Sequence, residues 1–335
     1  MVNSQFCATI KPMASQNKLV IVIPALNEEP TIAHVITSIP RQISEISACE
    51  VIVVDDGSID QTSTLARAGG AHVVRHAQPM GVGAAIQTGF REALARGADI
   101  IVNIDADGQF NAADIPKLIA PILQGKTELV TCSRFADPRL TPEMPAIKKW
   151  GNRWMTLIIN VITGKRFTDV SCGFRAYSRD AALRLILFGR FTYTQETFID
   201  LAFKGISMTE VPLKVRGVRQ HGRSRVADNL WRYGLKSASI IFRSARDFRP
   251  LIFFGIPGLA VTAAGLLSGG FLVWHWLLTG QTSPYRSLVQ ISGIFIIVGV
   301  LLGFMAMLAD MQHRNRILIE EVVYLTRKKF YDRGR

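Results

Sequence analysis

From Leu251 to Leu278 the chain carries no Asp, Glu, Lys or Arg, and only His275 can ionise. In lipid such a segment satisfies its own backbone as a helix, whereas in water it would have to be covered by protein on all sides. At about 1.5 Å per residue it exceeds the roughly 30 Å hydrocarbon core of a bilayer. A second uncharged run, Ser287 to Ala309, is also long enough to span. Two such runs in one chain constrain it to a water-facing body with a membrane anchor. The sequence therefore divides into a flexible leader (1–18), a catalytic-sized body (19–225), an amphipathic juxtamembrane helix (226–249), a two-helix anchor (250–310) and a basic tail (311–335).

The formal net charge of +13 points to an anionic partner. From Lys214 to Arg249 ten basic residues face only Asp228 and Asp247, directly before the first apolar run, where a membrane surface is the natural anion. Trp231, Leu235, Ala238 and Phe242 recur there at helical spacing beside a basic stripe, the pattern of a helix lying in an interface. No zinc-finger spacing or RNA-binding signature supports nucleic acid. Arg243, Arg246 and Arg249 precede the first span and Arg314, Arg316, Arg327, Lys328 and Lys329 follow the second, while the loop between them has only Arg286. The positive-inside rule then puts the body and both termini in the cytoplasm of a multi-pass protein. The four cysteines form no Cys-x-x-Cys pair and read as reduced thiols.

Within the body, short apolar runs at Leu19–Pro24, Val51–Val54, His72–Val74, Ile100–Ile104 and Leu129–Thr131 alternate with helical stretches at 31–38, 61–68, 83–96 and 112–124. That alternation predicts a doubly wound, mostly parallel α/β sheet whose ligands bind beyond the carboxyl ends of the strands. Further helices are expected at 148–163, 178–187 and 196–204, with a strand at 208–213.

Three acidic clusters sit at predicted strand ends. Asp105 and Asp107, in Asn-Ile-Asp-Ala-Asp-Gly-Gln, can both reach one divalent cation; hard oxygen ligands suit Mg²⁺ or Mn²⁺ shared with a substrate's phosphates. Asp107 is expected to face solvent. Asp55-Asp56-Gly57-Ser58 offers one carboxylate for a base or ribose and another for a helix cap, and in Leu26-Asn27-Glu28-Glu29 Asn27 is a candidate N-cap. Gly81-Val82-Gly83 lacks the third glycine of a dinucleotide fingerprint and reads as a close-packed turn near a nucleotide. Asp169 and Glu196 remain as acidic candidates, Glu196 opening a helix where a carboxylate is favourable without chemistry. His34, His72 and His76 look like ordinary surface or core residues.

Taken in order, VIPALNEE (22–29), VVDDGSIDQT (53–62), GVGAAIQTGF (81–90), NIDADGQF (103–110), SRF (133–135), DVSCGFRAYSRD (169–180), TQETF (194–198) and HGRSR (221–225) resemble the family 2 glycosyltransferases, in the branch of dolichol-phosphate mannose synthases and bacterial polyprenyl-phosphate glycosyltransferases. The resemblance implies a GT-A fold, inversion at the anomeric carbon, and Asp105, Asp107 and Gln109 around the metal. It further implies that Pro24, Leu26, Asn27, Glu28 and Asp56 hold the nucleoside, and that Arg134 and the pair Lys148/Lys149 face the lipid phosphate and the diphosphate, with Asn152 and Arg153 as alternative contacts. Homo-oligomers fit the resemblance, with no number fixed.

The chemistry stands independently. A phosphate monoester nucleophile, with a second pKa of about 6, is largely ionised at neutral pH and needs no strong general base. The site must instead manage charge, and arginine forks such as Arg134, Arg223 and Arg225 match phosphate geometry. Competing readings are transfer to a lipid hydroxyl, which would demand a dedicated base, extension of a growing polysaccharide, and a non-catalytic membrane scaffold. UDP- and GDP-linked sugars both suit these loops.

Overall fold

A computed structural model describes residues 17–187, 193–217, 242 and 246–333. Its described residues divide into two compact units, one drawn from Met1–Arg225 with Arg327–Arg335, the other from Val226–Thr326.

The first unit is built on a seven-stranded sheet of order β3-β2-β1-β4-β6-β5-β7. Its strands are β1 (Asn17–Ala25), β2 (Ile46–Asp55), β3 (His72–Arg75), β4 (Ile100–Asn103), β5 (Leu129–Ser133), β6 (Arg175–Ser178) and β7 (Met208–Pro212). All neighbours are parallel except β6, which runs antiparallel to both β4 and β5. Leu19 through Ile23 are wholly buried, as a central parallel strand covered on both faces requires. The connecting helices are α1 (Glu29–Thr37), α2 (Thr62–Ala68), α3 (Val82–Ala95), α4 (Ile115–Leu123), α5 (Ala146–Thr163), α6 (Arg179–Arg184) and α7 (Thr194–Phe203). On α3, Gly89 lets the helix sit directly on β1: an added Cβ would overlap Val22.

This is the expected mostly parallel α/β sheet, with two differences. Strand β6 falls at 175–178, just ahead of and overlapping the start of the helix expected at 178–187, where no strand is expected, because four residues with a buried arginine among them carry no readable alternation. Helix α6 stops at Arg184, three residues short of the expected end, and Leu185 turns to extended backbone.

In the second unit, Leu251–Thr279 is one apolar helix that opens with a π-helical turn and continues as α8 (Ile256–Thr279). Helix α9 (Arg286–Asp332) runs 47 residues, so residues 311–332 of the basic tail continue it. Both helices are long and apolar enough to cross a membrane, and their apolar side chains face outward: Leu267 is 76% exposed. Buried positions recur every seven residues, Gly258, Gly265 and Leu272 on α8 and Ser292, Gly299 and Ala306 on α9. A Cβ on Gly265 would come within 2.9 Å of the Ile296 nitrogen and one on Gly299 within 2.6 Å of the Thr262 nitrogen. Small residues thus let the two backbones meet closely, a packing also used by helices that associate in lipid.

The leader up to residue 16, most of the juxtamembrane helix, and the basic loop with Arg223 and Arg225 lie outside the described residues.

Candidate active site

Strands β2, β1 and β4 are adjacent, and the chain order reverses at β1/β4, the switch point beyond whose carboxyl ends open α/β sheets bind ligands. The three acidic clusters leave the sheet there. The loop after β1 is tied to the loop after β2 by hydrogen bonds: the Asn27 amide donates to Ser58 Oγ at 2.9 Å, the Ile59 amide to Asn27 Oδ1 at 2.9 Å, and the Glu28 amide to Thr62 Oγ1 at 2.9 Å. Asn27 therefore does not cap α1. It takes a left-handed conformation (φ 54°) and braces two loops, while Glu28 holds the cap position, where its carboxylate caps no helix amide and instead accepts from Thr31 Oγ1 at 3.5 Å. Pro24, next to last in β1, and Leu26, just past its end, are both half-buried at that rim.

Asp55 is fully buried and accepts from the Ser58 amide at 2.8 Å and from Ser63 Oγ. Burial opposes its ionisation, but the hydrogen bonds from Ser58 and Ser63 and the nearby Arg75 guanidinium prevail and hold the carboxyl below its ordinary range. Asp56 accepts from the amides of Met80 and Gly81, both at 2.8 Å, and lies 2.7 Å from His76 Nδ1. It thereby fixes the turn into α3, where Gly83 is buried in the first helical turn. His76, whose other nitrogen lies 3.0 Å from Thr88 Oγ1, is a member of this network and not an ordinary surface or core histidine.

Asp105 and Asp107 follow β4. Asp107 is only 2% exposed and its Oδ1 accepts the Gln109 amide at 3.0 Å, so it does not face solvent as expected; the tight turn at Gly108 (φ 69°) folds the carboxylate inward. Asp105 lies over Gly173: a Cβ there would stand 2.9 Å and 3.2 Å from its two oxygens and 3.0 Å from the Tyr193 hydroxyl. Burial, then the Asp105 charge, pushes the Tyr193 phenol well above its usual range, so it stays protonated. Asn103 Nδ2 donates to that hydroxyl at 2.9 Å and to the Gly173 carbonyl. Gln109 exchanges bonds with Arg216: its Nε2 donates to the Arg216 carbonyl at 3.2 Å and its carbonyl accepts the Arg216 amide at 3.0 Å.

On the other side of the same turn, Asp169 is wholly buried and grips Arg134 at the end of β5: Nε donates at 2.6 Å and Nη2 at 2.9 Å. Arg134 Nη2 also donates to Ser171 Oγ at 2.6 Å, which in turn donates to Asn152 Oδ1 on α5 at 2.6 Å. Burial works against the guanidinium, but Asp169 more than reverses this and keeps it charged. Residues 169–173 therefore brace both the cationic and the acidic sides of the rim. Arg175, fully buried, anchors that turn by donating to the Val170 carbonyl at 3.2 Å and to the Thr194 carbonyl at 2.9 Å, with its guanidinium 4.4 Å from the Phe198 ring. Lys148, Lys149 and Arg153 are exposed on α5, and Glu196 sits half-buried in the first turn of α7. Tyr193, Gly173, Ser171 and Asn103 carry no role from sequence alone; the intact Asp-Val-Ser-Cys-Gly-Phe stretch is the available signal for Gly173 and Ser171.

The residues present fit a hard divalent ion. Two neighbouring carboxylates with Gly173 clearing the space at Asp105 supply part of an oxygen shell, and among the described residues no group of three His, Cys, Asp or Glu side chains forms a closed cage. An open, two-carboxylate set leaves positions for phosphate oxygens and water, as Mg²⁺ or Mn²⁺ sites commonly do.

The family model described as "Glycosyl transferase family 2" matches residues 20–185. The chain is 32% identical over 214 residues to a UDP-N-acetylglucosamine–dolichyl-phosphate N-acetylglucosaminyltransferase of Methanococcus voltae, covering 58% of this chain and 84% of that one. It is 27% identical over 322 residues to the undecaprenyl-phosphate 4-deoxy-4-formamido-L-arabinose transferase of Pseudomonas fluorescens, covering 90% and 89%. Among solved structures, glucosyl-3-phosphoglycerate synthase from Mycobacterium tuberculosis with Mn²⁺, UDP-glucose and phosphoglyceric acid matches with a TM-score of 0.50 and 30% identity, over 68% of this chain and 79% of that one.

Proposed function

We propose, from the premise that this chain belongs to glycosyl transferase family 2, that it transfers a hexose from a UDP- or GDP-linked sugar to a polyprenyl phosphate, with inversion, at the cytoplasmic face of a membrane. One observation carries the reading: the turn 169–173 holds a charged arginine on one side and seats Asp105 on the other. That arrangement brings an anionic acceptor beside an anionic donor. The named acceptors of the two relatives, dolichyl phosphate and undecaprenyl phosphate, support the lipid phosphate, and the two apolar helices support an anchor.

In the reaction, an acceptor phosphate oxygen attacks the anomeric carbon. The bond from that carbon to the nucleoside diphosphate breaks, and its electron pair leaves with the diphosphate. Arg134 orients the attacking phosphate, and Asp169 keeps the guanidinium charged and aimed. The β1 and β2 loops hold the nucleoside through Pro24, Leu26, Asn27, Glu28 and Asp56. Asp105 and Asp107, with Gln109 beside them, would hold a divalent ion, which when bound offsets the charge of the departing diphosphate. No general base is needed, since the acceptor is already ionised. The basic residues flanking the two spans support cytoplasmic placement of the catalytic unit and both termini.

The test offers the purified chain a panel of radiolabelled nucleotide sugars with Mn²⁺ and either a polyprenyl phosphate or the matching polyprenyl alcohol. Label enters the lipid phase only with the phosphate. Equal transfer to the alcohol would discard the acceptor and the base-free mechanism together.

A further inference from the structure

Strand β4 is wholly buried, and three of its four residues are Ile100, Ile101 and Val102. The fourth, Asn103, brings an amide into that apolar setting, where an aliphatic side chain would pack without the cost of burying polar atoms. Its Nδ2 donates to the Tyr193 hydroxyl at 2.9 Å and to the Gly173 carbonyl, and its Oδ1 has no partner among the described residues. Tyr193 is itself only 3% exposed. Its backbone carbonyl accepts the Thr197 amide at 2.9 Å and Thr197 Oγ1 at 2.7 Å, which fixes it at the start of α7, and its ring lies 6.0 Å from the Arg175 guanidinium. A buried phenol is thus held at its backbone, its ring and its hydroxyl, beside a candidate metal carboxylate.

The direction of these bonds decides where the phenol hydrogen goes. An amide nitrogen only donates, so the Tyr193 oxygen accepts from Asn103 and keeps its own single hydrogen for another partner. Two acceptors stand near it. The Gly173 carbonyl is 3.5 Å away, at the edge of hydrogen-bonding range, and already receives Asn103. Asp105 is the other: its two oxygens and the hydroxyl all lie 2.9–3.2 Å from the point where a Cβ on Gly173 would sit. A charged acceptor forms the shorter and stronger bond. The missing side chain at residue 173 is what lets phenol and carboxylate approach.

Resting on the reading of Asp105 as a ligand to a divalent ion, we propose that Tyr193 is a positioning residue: its hydroxyl, aimed by Asn103, donates to one Asp105 oxygen and leaves the other for the cation. A partner of this kind orients the carboxylate before the ion arrives, and its loss costs roughly 10- to 100-fold in metal affinity. The pair makes no bond to Arg134, whose guanidinium is held by Asp169 and Ser171. Its effect therefore falls on the metal and diphosphate half of the rim.

Tyr193→Phe removes one oxygen and keeps the ring. The full chain, wild type and variant, is purified in detergent, and Mn²⁺ is titrated into each in the presence of UDP and, separately, of GDP. Free Mn²⁺ is read from its electron paramagnetic resonance signal, with a protein-free titration subtracted. With the nucleotide that the wild type holds better, the Mn²⁺ Kd is expected to rise about tenfold in Tyr193→Phe, while the KM for polyprenyl phosphate stays within about twofold. An unchanged Kd overturns the proposal. So does a matching rise in the lipid-phosphate KM, which would mean that the whole rim has shifted. Should Tyr193→Phe fold poorly by circular dichroism, Asn103→Leu spares the phenol but removes the donor that aims its hydrogen. A few-fold rise in its Mn²⁺ Kd supports the proposal, and no rise overturns it. Wild type that binds no Mn²⁺ with either nucleotide discards the metal role of Asp105 and this inference with it. A wild-type Kd that Tyr193→Phe leaves untouched discards this inference alone.

Discussion

Asp169→Asn keeps the shape of the carboxylate and removes its charge. In the native site it receives two charge-assisted bonds from Arg134, at 2.6 and 2.9 Å, with its own side chain wholly buried and that of Arg134 19% exposed. Breaking a fully buried pair costs about 3–5 kcal/mol; the partial exposure of Arg134 and the acceptor that Asn retains put the expected loss near the lower end, about 3 kcal/mol. For a domain of this size, at roughly 2–4 °C per kcal/mol, the thermal midpoint of the catalytic unit falls on the order of 6–12 °C. The catalytic consequence separates by substrate. A guanidinium released from its clamp presents its fork to the acceptor less often, and about 1.4 kcal/mol of lost orientation raises the KM for lipid phosphate about tenfold, with the KM for the nucleotide sugar unchanged. Arg134→Met leaves an unpaired buried anion and is at least as damaging, whereas the double variant loses less than the sum, with a coupling of at least about 1.5 kcal/mol. Additivity within about 0.5 kcal/mol would refute the pair as an energetic unit. Equal rises in both KM values would remove Arg134 from the acceptor side.

Gly173→Ala places a methyl 2.9 Å from Asp105 Oδ2 and 3.0 Å from the Tyr193 hydroxyl; transfer falls at least about tenfold, equivalent to about 1.4 kcal/mol of transition-state stabilisation, and the Mn²⁺ requirement shifts to higher concentration in a titration of initial rates. Glu210, which accepts the Asp169 and Thr168 amides at 2.8–2.9 Å, has its carboxyl pushed up by burial despite those bonds. A raised folded value means that its contribution is present below the ordinary 4.5 and is lost as pH rises through the folded value. The stability difference between wild type and Glu210→Gln, followed by urea melts, therefore declines as pH climbs above 4.5 and then levels; a flat difference contradicts the burial argument.

Strands β1 to β5 are readable because each is a short apolar run, and the polar loops that follow β1, β2 and β4 hold the candidate site. Strand β6 is not, since its burial comes from packing Arg175 among aromatic rings and carbonyls, a tertiary arrangement with no sequence period. The same limit applies at the rim. Residue types announced that Asp105 and Asp107 belong together, but not that Gly108 would turn Asp107 inward, nor that Gly173, nearly seventy residues on, would clear the space at Asp105. Asn27 and His76 show it for hydrogen bonding: both were assigned bland roles from local context, and both bind partners from neighbouring loops. The two long apolar helices are legible from the absence of charge, whereas the seven-residue seam of small residues between them depends on which helical face meets which.

Because Asp107 is buried, Asp107→Asn, which keeps its volume, is the suitable variant for testing the metal site. Crystals of the wild type and of Asp107→Asn, each soaked with nucleoside diphosphate and Mn²⁺, would be measured at the manganese absorption edge. The wild type is expected to show one anomalous peak bridging Asp105, Asp107 and the diphosphate, and the variant none. A wild-type map with bound nucleotide but no peak at that rim, or a peak undiminished in the variant, would contradict the account.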